Sequence, residues 1–474
     1  MGAISPSFIN ELRGICGADG VIADPVQLLV YECDAYTLEK QVPDVVVLPR
    51  TVEQVVSIVR LCADRKVPVI PRGTGTGLSG AVLAVNGSVV VATTRLNRIL
   101  DIDFRNRRAL VEAGCINAWI TNAVKHRGLM FAPDPSSQPS CTIGGNIAFN
   151  AGGPHTLKHG VTTNHVLGFE MVLSDGDLVW LGARPDGGED VGGYDLRGVT
   201  MGAEGMFGLI TRVLVRLVKA PRAYRTVLGI FNSTEDASQA VSDIIAAGIL
   251  PGALEMMDQP IIRAVEGANH FGLPTDAAAL LIVELEGQGP GLDRQLERVQ
   301  EIFRKRLARE MRPAANDQQR ADLWKCRKRA FGAMGRISAN FITQDGVVPR
   351  TKLPEALRYV YEVSRQAGLH VGNVFHAGDG NLHPLIFYDE RIPGQAQKAM
   401  EVSNAILARC VELGGSITGE HGIGVEKVAS MPKQFTDDDL DAMQRVRRAF
   451  DPVTLFNPGK IFPDGKRLRV RPAA

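Results

Sequence analysis

The stretch whose reading decides the fold is Pro71-Arg-Gly-Thr-Gly-Thr-Gly-Leu-Ser-Gly80. Gly73, Gly75, Gly77 and Gly80 let successive backbone N–H groups point into one concavity, a nest for an anion. Thr74, Thr76 and Ser79 add hydroxyl donors. Residues 75–80 match GxGxxG, but a dinucleotide-binding Rossmann turn needs more than that match. It needs a helix opening at the last glycine and an acid about 20 residues on. Here Pro68 and Pro71 suit a short edge strand, Asn86-Gly87 signals a turn where the helix should run, and Arg95 stands at the acid's place. The nicotinamide reading is disfavoured, and a phosphate cradle of another kind survives.

Working outward, a second glycine-rich tract follows. Pro133-Asp-Pro-Ser-Ser-Gln138 leads to Cys141-Thr-Ile-Gly-Gly-Asn146 and Asn150-Ala-Gly-Gly-Pro154. So many Gly, Pro, Ser and Asn residues argue against a helix or a clean strand, while Ile143, Ile147 and Phe149 argue against disorder. The expectation is an irregular segment wrapped along an extended cofactor. A third piece, Gly202-Ala-Glu-Gly-Met-Phe-Gly-Leu-Ile-Thr211, again sets glycines before a strand.

Chemistry of another kind gathers near the other end, in His376-Ala-Gly-Asp-Gly-Asn-Leu-His383 and Glu420-His421. Asp379-Gly380 is a hairpin signal, so the two histidines can converge on one point. With Glu420 as a third, hard ligand, the set suits a divalent Zn, Mn or Fe ion and keeps a coordination position open. Hydrogen-bonded core histidines are the bland alternative. His421 is suited to proton transfer near neutral pH.

Composition bounds the rest. The 474 residues, 45% hydrophobic and 22% charged, suffice for two or three domains with sizeable cores. A net charge of +1 gives no general attraction to nucleic acid. Seven scattered cysteines without a Cys-x-x-Cys pair fit a reducing compartment and disfavour an iron–sulfur cluster or zinc knuckle. The start reads as no secretory signal, Pro6 spoils a myristoylation motif at Gly2, and no apolar run is long enough to span a membrane. The expected location is cytoplasmic. The basic end, Lys466, Arg467, Arg469 and Arg471, reads as a solvated tail.

Periodicity divides the chain at about 220. Before it, short strands alternate with helices over 52–62 and 117–127, and Asp175-Gly176 joins a hairpin. After it, strands at 226–231, 279–285, 341–349, 370–376 and 382–387 and helices at 233–247, 292–309, 318–334, 354–367 and 396–413 describe an antiparallel sheet with helices on one face. A helix over 438–450 closes the chain. The expected fold is α+β. Its parts are an FAD-binding domain of two α+β subdomains with a helical lead-in over 1–220, a ferredoxin-like cap over 221–430, and a segment over 431–474 returning to the cofactor.

Six motifs occur in order: PRGTGTGLSG, PDPSSQ-x-x-CTIGGN, NAGGPH-x-x-KHG, HAGDGNLHP, GEHGIG and FNPGKIF. Together they resemble the vanillyl-alcohol oxidase/PCMH flavoprotein superfamily, in its GlcD-like branch beside D-lactate and D-2-hydroxyglutarate dehydrogenases. The resemblance runs from Val45 to Phe462. It implies non-covalent FAD, with the pyrophosphate held over Pro71–Gly80, Gly77 and Leu78 included. Pro133, Asp134, Ser137, Cys141, Thr142, Gly144, Gly145, Asn146, Asn150, Gly152 and Gly153 would flank the flavin side. Glu204, Gly208 and Ile210 would meet the adenosine end or the channel, and Asn457 would close over the flavin. His155 and His159 are read as non-covalent neighbours.

The same resemblance implies metal binding by His376, His383 and Glu420, and His421 as base. Arg327 aligns with the substrate-carboxylate arginine of the 2-hydroxyglutarate enzymes. Their nearby threonine is matched by Phe331, their substrate lysine has only Arg350 near it, and their asparagine beyond the second histidine is Leu385. These departures favour D-lactate or glycolate over a dicarboxylate. The implied activity is oxidation of a D-2-hydroxy acid to the 2-oxo acid, with hydride passing to flavin N5. Electrons would leave to a quinone, a cytochrome or iron–sulfur and flavin partner subunits. A homodimer or a hetero-oligomer peripheral to the inner membrane is expected. A D-2-hydroxyglutarate dehydrogenase, a catalytically quiet flavin subunit and a metal hydrolase stay open at this point. The expectation that unites them is that nest and histidine cluster serve one cleft.

Overall fold

The computed structural model describes residues 4–187 and 192–463. Gly2 and the basic residues Lys466, Arg467, Arg469 and Arg471 lie outside them. Two compact units emerge, the first from Met1–Ala151, Val161–Ala220 and Glu420–Ala474, the second from Gly152–Gly160 and Pro221–Gly419.

In the first unit a four-stranded sheet runs in the order Val21–Ile22, Val45–Val47, Val89–Ala92, Val69–Arg72. Val45–Val47 and Val69–Arg72 both pair parallel to Val89–Ala92. These strands read as unbroken valine-rich runs because both faces are covered, as parallel sheets require. The helix Val52–Arg65 covers it with Val55, Ile58, Val59 and Cys62 buried. Thr51 caps that helix at the Gln54 N–H, and the Gln54 side chain reaches back to the Arg50 N–H. Pro71 is tolerated because Val69–Arg72 ends the sheet. The C-terminal segment lies along that same edge, where Val69 N–H donates to Leu455 O and Asn457 N–H donates to Val69 O.

A second sheet in this unit is antiparallel, ordered Ile99–Asp103, Arg108–Glu112, Leu209–Arg216, Val166–Val172, Leu178–Gly182. The hairpin expected at Asp175-Gly176 is present, with Gly176 at φ 81°. Turns and then a strand follow Gly80 where a Rossmann helix would have to run, so the backbone itself excludes that alternative.

The second unit is built on nine antiparallel strands, with Ala223–Phe231, Ala279–Gly287, Ala253–Asp258 and His370–His376 side by side. Helices Thr234–Ala246, Leu292–Lys305, Leu353–Gln366 and Gln395–Glu412 accompany it. Ser233 caps the first of these at the Asp236 N–H. The α+β architecture thus follows the sequence expectation in both units.

Several local readings need correction. The tract judged incompatible with a helix contains one, Ile143–Phe149, capped by the Thr142 hydroxyl on the Gly145 N–H. Two glycines in its first turn are tolerated because the backbone must approach Ala113 closely there: a Cβ at Gly144 would lie 3.0 Å from that of Ala113. The strand Ala253–Asp258 and helix Gln259–Asn269 were not anticipated. The strand expected over 341–349 breaks into Asn340–Thr343 and Gly346–Val347, and the helix over 117–127 ends as α at Val124.

Candidate functional site

In the first unit the glycine loop starts from the edge strand, and its shape is fixed from beneath by a charged side chain. Arg72 is buried, donates from Nη2 to Cys33 O, and lies over the Tyr31 ring. Gly75 has φ 76°, and a Cβ there would run into the Arg72 guanidinium. The guanidinium therefore backs the loop and supplies the positive charge a pyrophosphate needs. Burial lowers the Arg72 pKa, with Asp34 opposing. Asp34 holds the far end of the loop: its carboxylate accepts from the Gly80 N–H at 3.1 Å and the Tyr36 N–H at 2.9 Å. Burial pushes its pKa up to about 6. The lead-in, read from sequence as carrying little chemistry, thus shapes the nest.

A cavity opens beside this loop. Of the expected cofactor residues, Pro71, Arg72, Gly73, Gly144, Gly145, Glu204, Gly208 and Ile210 line it, together with Phe149, Met171 and Phe207. Glycines and apolar side chains suit a flat ring system and its ribityl chain.

The rest of the loop, from Thr74 through Gly80, stands outside that lining. Within it, Gly77 faces the lead-in. Its carbonyl accepts from the Ala35 N–H at 2.9 Å. A Cβ there would lie 3.1 Å from Asp34 Oδ2 and 3.5 Å from the Phe149 ring. A glycine is therefore needed at 77 to let the lead-in and the 143–149 helix close on the loop from both sides. Left-handed backbone is confined to Gly75 and Gly80 among the four loop glycines. The nest is thus built from fewer of them than the spacing suggests.

Two buried polar atoms of the loop, Arg72 Nη1 and Ser79 Oγ, have no hydrogen-bond partner among the described residues. A phosphate oxygen in the cavity would satisfy Arg72 Nη1, so the residues fit FAD. Thr74 reaches Ser140 O, tying the loop to the tract around Pro133, Asp134, Ser137 and Cys141. Asn146 and Cys141 contact each other, and Asn117 bonds Asn146 Oδ1 and Pro133 O.

Glu204 and Asn457 hold the walls together. Both are buried with positive φ, 48° and 43°. The Glu204 carboxylate accepts from the Ile423 and Gly424 N–H groups, each at 2.7 Å. Burial pushes its pKa up to about 7, against the pull of those amides, Lys427 and Lys460. Asn457 Nδ2 donates to Ala81 O and Glu204 O. The Asn150 carboxamide accepts from Thr163, and Asn150 itself ends the 143–149 helix in the left-handed region. His421 and Glu420 open the C-terminal return, with Nε2 to Oε1 at 3.9 Å.

The second unit carries the histidine pair. His376 ends its strand, a short turn over Ala377–Asp379 follows, and His376 pairs with Asn381 across the hairpin, as Asp379-Gly380 predicts. The His376 and His383 rings lie 5.2 Å apart, edge to face. His376 Nδ1 bonds the Glu255 carboxylate at 2.7 Å, and His383 Nδ1 bonds Gln344 O at 3.2 Å. Both acceptors demand a donor at Nδ1, so each neutral ring carries its lone pair on Nε2. Metal-binding imidazoles are oriented in this way, and the donor chemistry fits a divalent ion.

Arg327 also meets Glu255, Nε to Oε2 at 2.7 Å, and both are fully buried. Burial alone would raise the Glu255 pKa, but His376 and Arg327 hold it below the usual range. Arg327 Nη2 is buried without a partner among the described residues. Arg350 donates to Gly378 O and so steadies the turn between the histidines. The segment Gly152–Gly160 belongs to this unit, not to the flavin cavity's walls. His155 lies 3.5 Å from Glu284 and His159 bonds Glu286 at 2.7 Å. These pairings were absent from the sequence expectation. Glu255 and Asp34 were also missed. An acid inside the apolar run Ala253-Leu-Glu-Met-Met-Asp258 was the available signal for the first, since a buried charge needs partners.

Residues 43–182 match the FAD binding domain family, and residues 220–461 match the FAD linked oxidases, C-terminal domain family. The chain is 46% identical over 437 residues to "Glycolate oxidase subunit GlcD" of Escherichia coli strain K12, covering 92% of this chain and 87% of that one. It is 28% identical to "D-lactate dehydrogenase" of Anaerostipes hadrus, covering 97% and 98%. In fold it resembles 4-ethylphenol oxidase from Gulosibacter chungangensis, with a TM-score of 0.81 at 17% identity over 97% of this chain and 98% of that one. With a flavin cradle in one unit and matches covering both, the chain belongs to the FAD-linked oxidases as a GlcD-like member of the PCMH superfamily, an FAD-dependent oxidoreductase.

Proposed function

We propose that the protein oxidises a small D-2-hydroxy acid, D-lactate or glycolate, to the 2-oxo acid. The observation that carries this reading is Arg327 Nη2, a buried guanidinium N–H with no partner among the described residues. A substrate carboxylate is the acceptor it fits. The printed names of the relatives, glycolate oxidase and D-lactate dehydrogenase, point to the same substrate class. Leu385 is buried and apolar, and Phe331 packs on the same core, so neither offers a second carboxylate its partner. A monocarboxylate follows.

In this reading Arg327 binds the carboxylate and His421 removes the hydroxyl proton as C2 gives up hydride. FAD, when bound, supplies the hydride acceptor at N5. The cofactor is held non-covalently by Pro71–Gly80 and by Gly144, Gly145, Gly208 and Ile210. Within that loop Gly77 serves by its closeness to the lead-in, and the neighbouring backbone and Arg72 meet the phosphates. His376, His383 and Glu420 would hold a divalent Zn, Mn or Fe ion, which supplies charge stabilisation at the substrate hydroxyl. Arg350 and Asn381 keep the loop between the histidines in shape. Electrons then pass to an external acceptor, and the word "subunit" in the name of the 46% identical relative supports partner chains for that step. No helix among the described residues is long and apolar enough to cross a membrane.

Anaerobic mixing with D-lactate or glycolate is expected to bleach the bound flavin, with L-lactate inert. A flavin that stays oxidised with every D-2-hydroxy acid tried would instead favour a catalytically quiet subunit.

A further inference from the structure

We propose that Glu255 is a positioning residue that sets the metal-binding and carboxylate-binding groups with a single carboxylate. The inference rests on the functional reading just given and deepens it. Glu255 lies in the strand Ala253–Asp258, directly opposite His376 in the antiparallel register. Its Oε1 accepts from His376 Nδ1 and its Oε2 accepts from Arg327 Nε, each at 2.7 Å. Arg327 comes from a different element, the helix Asp317–Lys328. Solvent reaches none of the three to any useful extent. One rigid side chain therefore fixes the tautomer and tilt of an imidazole and the plane of a guanidinium.

The chemistry of the two partners makes a carboxylate obligatory. Both present N–H donors, so the group between them must accept on both sides. Glutamine of the same shape offers one oxygen and one NH2, and its NH2 must then face a donor. Aspartate keeps both oxygens but is shorter by a methylene. The two arms have separate readouts, because His376 bears on metal retention and Arg327 on substrate binding.

The test uses the full-length, FAD-loaded protein. Glu255→Gln is expected to weaken one arm or both: metal affinity falls by about 10–100-fold in competition with a chelator, or KM for the hydroxy acid rises at least about tenfold. The flavin-to-protein ratio should stay at the wild-type value. Wild-type metal retention together with wild-type KM would overturn the proposal and leave Glu255 a packing residue. Should that variant fail to fold, Glu255→Gln combined with Arg327→Met removes both buried charges together. Metal retention then reads the His376 arm alone, and wild-type retention in the double variant overturns the proposal. Controls with His376→Ala and Arg327→Met separate this failure from that of the underlying reading. If those two change neither metal content nor KM, the assigned roles themselves are wrong, whatever Glu255 does.

Discussion

At the scale of single residues, buried carboxylates do most of the organising, and Glu204 makes that measurable. Its pKa is pushed from 4.5 up to about 7 by burial. Between those values the native state holds a proton that the unfolded chain has released. Stability therefore declines as pH rises through that window, by at most on the order of 3 kcal/mol. Asp34 and Asp258, both pushed up to about 6 by burial, add slopes of the same sign at lower pH. Melting temperatures between pH 6 and 7 should thus fall in the wild type and run flatter in Glu204→Gln; parallel curves would remove Glu204 as the source. The loop glycines and the histidine pair were read directly from sequence because their chemistry is rare, whereas Arg327 came only from the family resemblance. Their partners were not legible. Glu255 and Asp34 act through hydrogen bonds to residues far along the chain; the apolar run around Glu255 marks it as buried, but nothing local names the partners of either acid. Gly77 shows the same limit from the other side, since the motif marks a glycine there without telling that Asp34 and the Phe149 ring crowd it.

At the scale of elements, strands and helices with a strong period were legible, and those in tension with their composition were not. Ile143–Phe149 shows why. Its glycines lower helix propensity by about 1 kcal/mol each, yet the Thr142 cap and the contact with Ala113 impose the turn. Thr142→Ala should lower unfolding free energy by about 1 kcal/mol through loss of the cap, read as a shifted urea midpoint with an unchanged slope. An unshifted midpoint would mean tertiary contacts alone hold the helix. Ala253–Asp258 escaped notice for the opposite reason. Its six residues are all buried, so there is no alternation to read. The neighbouring helix Gln259–Asn269, begun by Asp258 as cap, was lost with it.

For the whole molecule, the six ordered motifs made the family legible and the periodicity of strands and helices the α+β class, while the division into units followed contacts that sequence order hides. Cofactor binding should mark that division. FAD stabilises whatever binds it by mass action, and its cavity is lined by the first unit alone. Calorimetry of holo- and apoprotein should therefore show one transition moving to lower temperature and another nearly fixed. A single transition shifting as a whole would show that the units melt together. The C-terminal return has a different kind of consequence. Leu455, Phe456 and Asn457 zip onto the edge strand at Val69, and Asn457 and Lys460 grip the carbonyls of Ala81 and Leu83. During translation the nest leaves the ribosome early but must wait through the making of the entire second unit for its final strap. A nascent chain stalled just short of Leu455 would display nearly every motif of an oxidase and still be unable to keep its yellow colour.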